Sequence, residues 1–433
     1  MKKRLISLFL VFFLLGSFSF ALSAENEKLL TIPSWWAPHE IKGAEEFFDK
    51  YFTPKTGIRV KYEYIGEAFH EKMWTRIAAG NPYDIMTFNA DTLQEYVDKG
   101  ALMPLDDFIK RDKYDLRDFF PIALEHWRGR KDGKLYGLSN DMGSFHFYYN
   151  ATLFKSAGLP FPKYPWSWDK FLSLAQKLTR DTNGDGKIDQ WGYISGVDWC
   201  RDIWPGTNGA FLFNKEVTKC LLDDPKVIKA LQFWQDLTYK YKVAPSPELI
   251  QLTSGDAFLS GNVAMMLDGT WQVGYLRDKG AKFEWDVALL PKGPDTDRIY
   301  IPNFTAGWVI SKGAKDPEAA WAAMKAYASK EFAEEVMFRT LSSLPTRRSA
   351  LLSKKFYQWP ERPPKGLTGE FYGQMIKFGE PIHQYPYNLG PKIRASLSKL
   401  DLIASNQKPA EPVCKEVAKE VNELLETMPW VKK

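Results

Sequence analysis

The chain has 433 residues, a formal net charge of +5 and 15% aromatic residues, among them 16 Trp, with 3 Cys. That length exceeds what one hydrophobic core usually holds and implies two domains or more, while so small a charge leaves no footprint for nucleic acid or for a charged membrane surface. Cys200, Cys220 and Cys414 are too few for a disulfide framework, and a Cys200–Cys220 bridge and buried free thiols both remain open.

Residues 1–24, "MKKRLISLFLVFFLLGSFSFALSA", have the basic start, apolar run and small-residue exit of a secretory signal peptide. Its removal takes away Lys2, Lys3 and Arg4 and brings the charge to about +2. The first cysteine is Cys200, so no thiol near the cleavage region can carry a lipid, and the mature chain is expected free of a membrane anchor in the periplasm.

Next comes "LTIPSWWAPHEIKGAEEF" (30–47), where a strand-like run passes two tryptophans and becomes helical in spacing. "IRVKYEYI" alternates with period two, "AFHEKMWTRIAAG" has helical spacing, "YDIMTF" is a short buried strand, and "TLQEYVDKGALMPLDDFI" reads as helix, turn and helix. This βαβ patterning predicts a largely parallel sheet covered by helices. Ligands gather outside the carboxyl ends of such strands. Trp35, Trp36 and His39 after the first strand, and Asn89 and Asp91 after "YDIMTF", are therefore expected on one rim.

After "GKLYGLSNDMGSFHFYYN" the alternation resumes in what reads as a second lobe. Ser167, Asp224 and Asp316 stand where helix caps belong, the last two followed by Pro225 and Pro317. Between the first two caps, "DTNGDGKIDQWG" places Asp181, Asn183 and Asp185 at positions one, three and five of an EF-hand-type loop. Gly186 is at six, the Lys187 carbonyl at seven and Asp189 at nine. Gly192 replaces the bidentate Glu at twelve. A structural calcium ion away from the ligand is expected, against the alternative of a solvated Asp/Asn/Gly turn.

"GKLYGLSNDMGSFHFYYNATLFKSAGLP" with "YPWSWDKFLSLAQKLT", then "FLSGNVAMMLDGTW", "ALLPKGPD", "AGWVISKGAKDPEAAWAAMKAYAS" and "SSLPTRR", closely resemble in kind and order the extracellular solute-binding proteins of carbohydrate ABC transporters. That group includes the maltodextrin-binding proteins. Ser139, where the family often has Pro, and the extra Trp166 are local departures. The resemblance implies a two-lobe α/β periplasmic-binding-protein fold, type II-like, each lobe a mainly parallel sheet flanked by helices and hinged by several crossovers. By the family pattern the first lobe takes 25–142 and 294–328, and the second 143–293 and 329–433. It also implies a monomer that closes over a mono- or oligosaccharide and presents it to membrane permease subunits.

A pyranose offers an apolar C–H face and a rim of hydroxyls, so its site needs aromatic plates and polar side chains. Trp271 matches the family position where an aromatic commonly stacks on the ligand, with Asp268 and Gly269 on the same loop. Trp35, Trp36, His39, Asn89 and Asp91 follow, then His146 near the hinge. Asp198, Trp199, Arg201 and Trp204 form a cluster in "GVDWCRDIW", and Asn303 and Trp308 come from the returning segment. No catalytic residue or functional cofactor is assigned. The five His lack zinc-ligand spacing, and neither a nucleophile elbow nor a phosphate loop is present. The alternatives are a glycosidase, since 53 acidic residues offer many carboxylate pairs, and a sugar-sensing module without a transporter.

Overall fold

The computed structural model describes residues 28–36, 38–66, 68–195, 202–249, 253–338, 343–357, 379–381, 391–428 and 431. The chain starts with β1 (Lys28–Ser34), crosses through α1 (Pro38–Phe47) and returns in β2 (Ile58–Tyr64), parallel to β1 with Ser34 opposite Tyr64. Leu30, Ile32, Ile58 and Val60 are buried, as period-two alternation requires. After α2 (Phe69–Ala78) comes β3 (Ile85–Asn89), whose first four residues are buried. β4 (Gly137–Ser139) and β5 (Asp141–Met142) lead across the hinge into β6 (Phe145–Asn150).

The second lobe adds α3 (Trp168–Leu178), β7 (Ile194–Ser195), α4 (Pro225–Tyr239), β8 (Met265–Gly269), α5 (Trp271–Asp278) and β9 (Trp285–Ala288). The chain then returns through β10 (Ile301–Asn303) and β11 (Ala306–Ile310) to α6 (Pro317–Tyr327), β12 (Leu344–Pro345) and β13 (Gly379–Pro381), and ends in α7 (Ala410–Leu425). The three expected caps are formed: Ser167 accepts from the Lys170 N–H, Asp224 from Lys226 and Asp316 from Ala319.

The architecture is two-lobed α/β, but its sheets are mixed rather than mainly parallel. In the first lobe β11 lies antiparallel between β3 and β4. In the second, the order is β7-β8-β6-β9, with β6 antiparallel to both its neighbours and only β7 parallel to β8. A helical crossover within a lobe delivers the next strand in the same sense. β6 and β11 enter from the other lobe and run the opposite way.

β6 is buried along its whole length and divides the second lobe. Phe145, Phe147 and Tyr149 face a core with Trp166, Trp168, Phe171 and Trp204, while Tyr148 joins Val273 and Leu276 on the other face. α4 and α7 enclose a third core around Cys220 and Cys414. Both thiols are unpaired and pushed up to about 12, chiefly by burial; Cys200 lies outside the described residues.

The family pattern assigns everything after 328 to the second lobe. Residues 330–338 and 343–351 instead pack on the first. Phe332 lies edge-on to Phe47 at 5.0 Å, and Ser349 donates to the Asp118 carboxylate at 2.7 Å while Arg347 stands 3.2 Å from it. Phe332, Ala333, Val336 and Met337 are buried in the same core as Phe47 and Phe48 of the first lobe.

Candidate functional site

Trp271 opens α5 directly after β8. Its indole lies across Gly269, where a Cβ would come within 2.2 Å of a ring carbon. Phe145 supports it edge-on at 5.8 Å and Phe304, on the crossover between β10 and β11, at 5.6 Å. The ring is only partly buried, so the glycine's missing side chain serves the tryptophan that covers it. Asp268 has a different part. It is fully buried and accepts from Ser254 Oγ (2.7 Å), Gln272 Nε2 (2.8 Å) and the Gly269 N–H (2.7 Å). Both oxygens are thus engaged in holding the start of α5, which positions Trp271.

On the first lobe, Ser34 Oγ accepts from the Trp36 N–H at 3.1 Å and turns the chain out of β1. Trp35 stands edge-on to Phe69 at 4.9 Å; Trp36 stacks between Tyr62 at 5.6 Å and Tyr327 at 6.2 Å. Both are half-buried. Asn89 is exposed at the end of β3, opposite Ala306, and Asp91 follows in the next turn, pushed up to about 6 by burial. Ser139 is opposite Gly307. The end of this sheet therefore sets Asn89, Ala306 and Ser139 in a row, beside Asp141.

Asp141 is a residue the sequence reading passed over. Its Oδ1 accepts from the Ala306 N–H at 2.8 Å and faces Ser139 Oγ at 3.3 Å, while Ser343 Oγ donates to Oδ2 at 3.3 Å. Burial, then the like charge of Glu40, pushes the carboxyl up to about 7. A folded-state value above the ordinary 3.8 means that the native chain holds this proton where the unfolded chain has released it. Stability should therefore fall as pH rises from about 4 to about 7. Asp141→Asn keeps an acceptor for the Ala306 N–H and removes the titration. We expect it to gain about 1–2 kcal/mol over wild type at about pH 8 and little at about pH 5, with Asp91 sustaining part of the slope in both. Parallel slopes in thermal melts would discard this account.

The hinge holds further polar groups. Among the described residues, Asn140 Nδ2, Ser144 Oγ, Thr270 Oγ1 and Thr305 Oγ1 are buried without a protein partner, the condition in which ordered water or a ligand hydroxyl completes a site. Asn303 is not among them: its Oδ1 lies 3.3 Å from His126 Nε2, and its amide donates to the Gly143 carbonyl at 3.4 Å. It ties the crossover down, buried, and is not on the rim where it was expected. His146 is fully buried opposite Asp268, and burial pushes its imidazole down to about 3, so it is neutral.

Three more assignments move. Trp308 is fully buried, stacked on Tyr327 at 4.0 Å with 5° between planes, and belongs to the first-lobe core. Trp204 is equally buried, against Trp168 at 5.7 Å and Phe233 at 5.3 Å. His39 is exposed, with Nε2 3.6 Å from Asp278 at the end of α5, and stands where the first lobe meets that helix. Asp198, Trp199 and Arg201 lie outside the described residues. A hollow of about 650 Å³ between α3 and α4 is a poor rival, since two of its aromatics, Trp168 and Phe233, stack on each other at 4.5 Å instead of presenting a face.

In the 181–192 loop, Asp181 accepts from the N–H groups of Gly184 and Gly186, both at 2.7 Å, Asn183 from Asp185, and Asp185 from Lys187. Asp189 accepts from Thr182. Gly184 and Gly186 take φ of 79° and 85°, which lets the loop curl. Among the described residues no three His, Cys, Asp or Glu side chains converge on one point to hold a metal, nor is any helix long and apolar enough to cross a membrane.

The family model for bacterial extracellular solute-binding proteins matches residues 48–364. A putative binding protein of Brucella abortus is 25% identical over 288 residues, 64% of this chain and 66% of that protein. The maltotriose-binding protein of Pyrococcus abyssi is 22% identical over 295 residues, 66% of this chain and 60% of that one. The match thus spans just under two thirds of these relatives. Among solved structures, an ABC substrate-binding protein of Listeria monocytogenes in complex with cycloalternan superposes with a TM-score of 0.80 at 24% identity, over 92% of this chain and 99% of that chain. At that identity the likeness is one of fold.

Proposed function

This chain belongs to the bacterial extracellular solute-binding protein family, and from that premise we propose that it captures a mono- or oligosaccharide between its lobes and delivers it to the permease of an ABC importer. The observation that carries the reading is Trp271, a partly exposed indole propped by Phe145 and the hinge residue Phe304, which also touch each other at 5.6 Å. A ring held this way offers a flat face to the C–H side of a sugar. Trp35, Trp36, Asn89, Asp91 and Asp141 supply the facing wall, and the relatives' maltotriose and cycloalternan are of the same chemical class. Asp198, Trp199 and Arg201 remain proposed contacts on the sequence pattern alone.

Only a solute that touches both lobes shifts the population toward closure, because the shift equals its differential affinity for the closed form. A micromolar dissociation constant corresponds to about 8 kcal/mol, within reach of one or two stacked indoles and a satisfied polar rim after the cost of ordering. In this reading the mature protein is a periplasmic monomer released from its leader, with no chemistry of its own. The test is a thermal-shift screen over neutral sugars, uronates and polyols, followed by small-angle scattering and recovery of the sugar. A contracted complex and intact sugar support a receptor; cleaved sugar makes it a glycosidase, and no shift with any sugar ends the proposal.

Calcium in the 181–189 loop is part of the same proposal, supported by oxygen donors at five EF-hand-type positions. The expected result is a thermal midpoint raised by millimolar calcium and restored by chelator; an unmoved midpoint removes the ion.

A further inference from the structure

We propose that Tyr64 is an outer sugar plate on the first lobe, stacking on a unit of an oligosaccharide that extends past the Trp36 wall; this rests on the carbohydrate reading above. Tyr64 ends β2 opposite Ser34, the residue just before Trp35 and Trp36. Adjacent strands lie about 4.8 Å apart, so its backbone belongs to the rim those tryptophans form. Along β2, Ile58, Val60 and Tyr62 face inward, and Tyr62 stacks on Trp36. Tyr64 continues that face by period two, yet it is 64% exposed. A residue on the inward face that is nevertheless open to water has passed the end of the sheet, where solutes collect in open α/β folds.

Its ring is also held. The Tyr64 hydroxyl would lie 3.1 Å, and two ring carbons 3.4 and 3.5 Å, from a Cβ placed on Gly66. The hydroxyl end of the tyrosine therefore lies over the bare backbone at Gly66. A single exposed aromatic is ordinary; one that lies over the Gly66 backbone at a strand's carboxyl end, two residues past the Tyr62 that stacks on Trp36, offers a surface for a pyranose. It would serve longer ligands, because the unit nearest the hinge is already matched to Trp271.

The experiment compares wild type, Tyr64→Ala, Tyr64→Phe and Gly66→Ala by calorimetry against gluco- and manno-saccharides from monosaccharide to trisaccharide. Tyr64→Ala should weaken the best trisaccharide about tenfold and the matching monosaccharide less than twofold, at an unchanged thermal midpoint. Tyr64→Phe should retain wild-type affinity, since the ring and not the hydroxyl stacks, and Gly66→Ala should cause a smaller loss than Tyr64→Ala. Equal losses for short and long sugars, or no loss for either, overturn the outer plate. Wild type that binds no member of either series and no sugar of the wider screen overturns the carbohydrate reading itself, and the plate with it.

Discussion

Trp271→Ala is expected to weaken binding of the cognate sugar about 100-fold, the equivalent of about 2.7 kcal/mol, while the thermal midpoint of the empty protein moves by only a few degrees. The large effect on affinity follows from geometry. The indole is aligned by contacts with Phe145 and Phe304 before any ligand arrives, so stacking costs little ordering and its loss is felt nearly in full. The small effect on stability follows from what stays behind. Asp268 still accepts from Ser254 and Gln272, and the Thr270 N–H still donates to the Ser144 carbonyl at 2.9 Å, so the start of α5 is retained. Trp271→Phe should fall between, having a smaller plate in the same place. Calorimetry decides it: unchanged affinity in the alanine variant would remove Trp271 from the site.

Trp308→Ala should behave in the opposite sense, costing about 3–5 kcal/mol of stability and leaving the affinity of the folded fraction intact. Trp308 lies between Phe48, at 5.8 Å with 13° between planes, and Tyr327, at 4.0 Å, in the middle of the first-lobe sheet. No small residue next to it can fill the space of an indole. Trp308→Phe should cost far less, about 1 kcal/mol, because among the described residues Trp308 Nε1 has no hydrogen bond to lose. Denaturant unfolding checks both, and an alanine variant as stable as wild type would mean that the core closes over the gap.

These two tryptophans mark where sequence reading succeeds and where it stops. The β1–α1–β2 unit and the three helix caps were legible because each is set by neighbours a few residues away: the alternation of "IRVKYEYI", or an Asp followed by Pro. The reversed entry of β6 and β11 was not, since their sense is set by partners far away in the chain, β8 and β9 for β6 and β3 and β4 for β11. Trp308 in "AGWVIS" sits in an apolar run, which is the mark of a core strand, whereas Trp271 follows Gly and Thr at a strand-to-helix turn. Local context could have separated them. Apart from Ser139, nothing local pointed to Asp141, whose character comes mostly from Ala306, Ser343 and Glu40, residues far away in the chain. Asp268 lies between: Gln272, four residues on, hinted at an internal partner, while Ser254 gave no such hint.

β11 has a consequence for how this protein is made. Among the described residues of the first lobe, β3 and β4 are each hydrogen-bonded to no named strand but β11, so a nascent chain that has not reached Ala306 lacks the strand that joins them. The amino-terminal part can pack β3 against β1, but this sheet is completed only after β6 to β9 of the other lobe have been made. For a secreted protein that delay is useful: a polypeptide unable to finish folding on the ribosome stays loose enough to thread a translocation pore, and its assembly is deferred to the far side of the membrane.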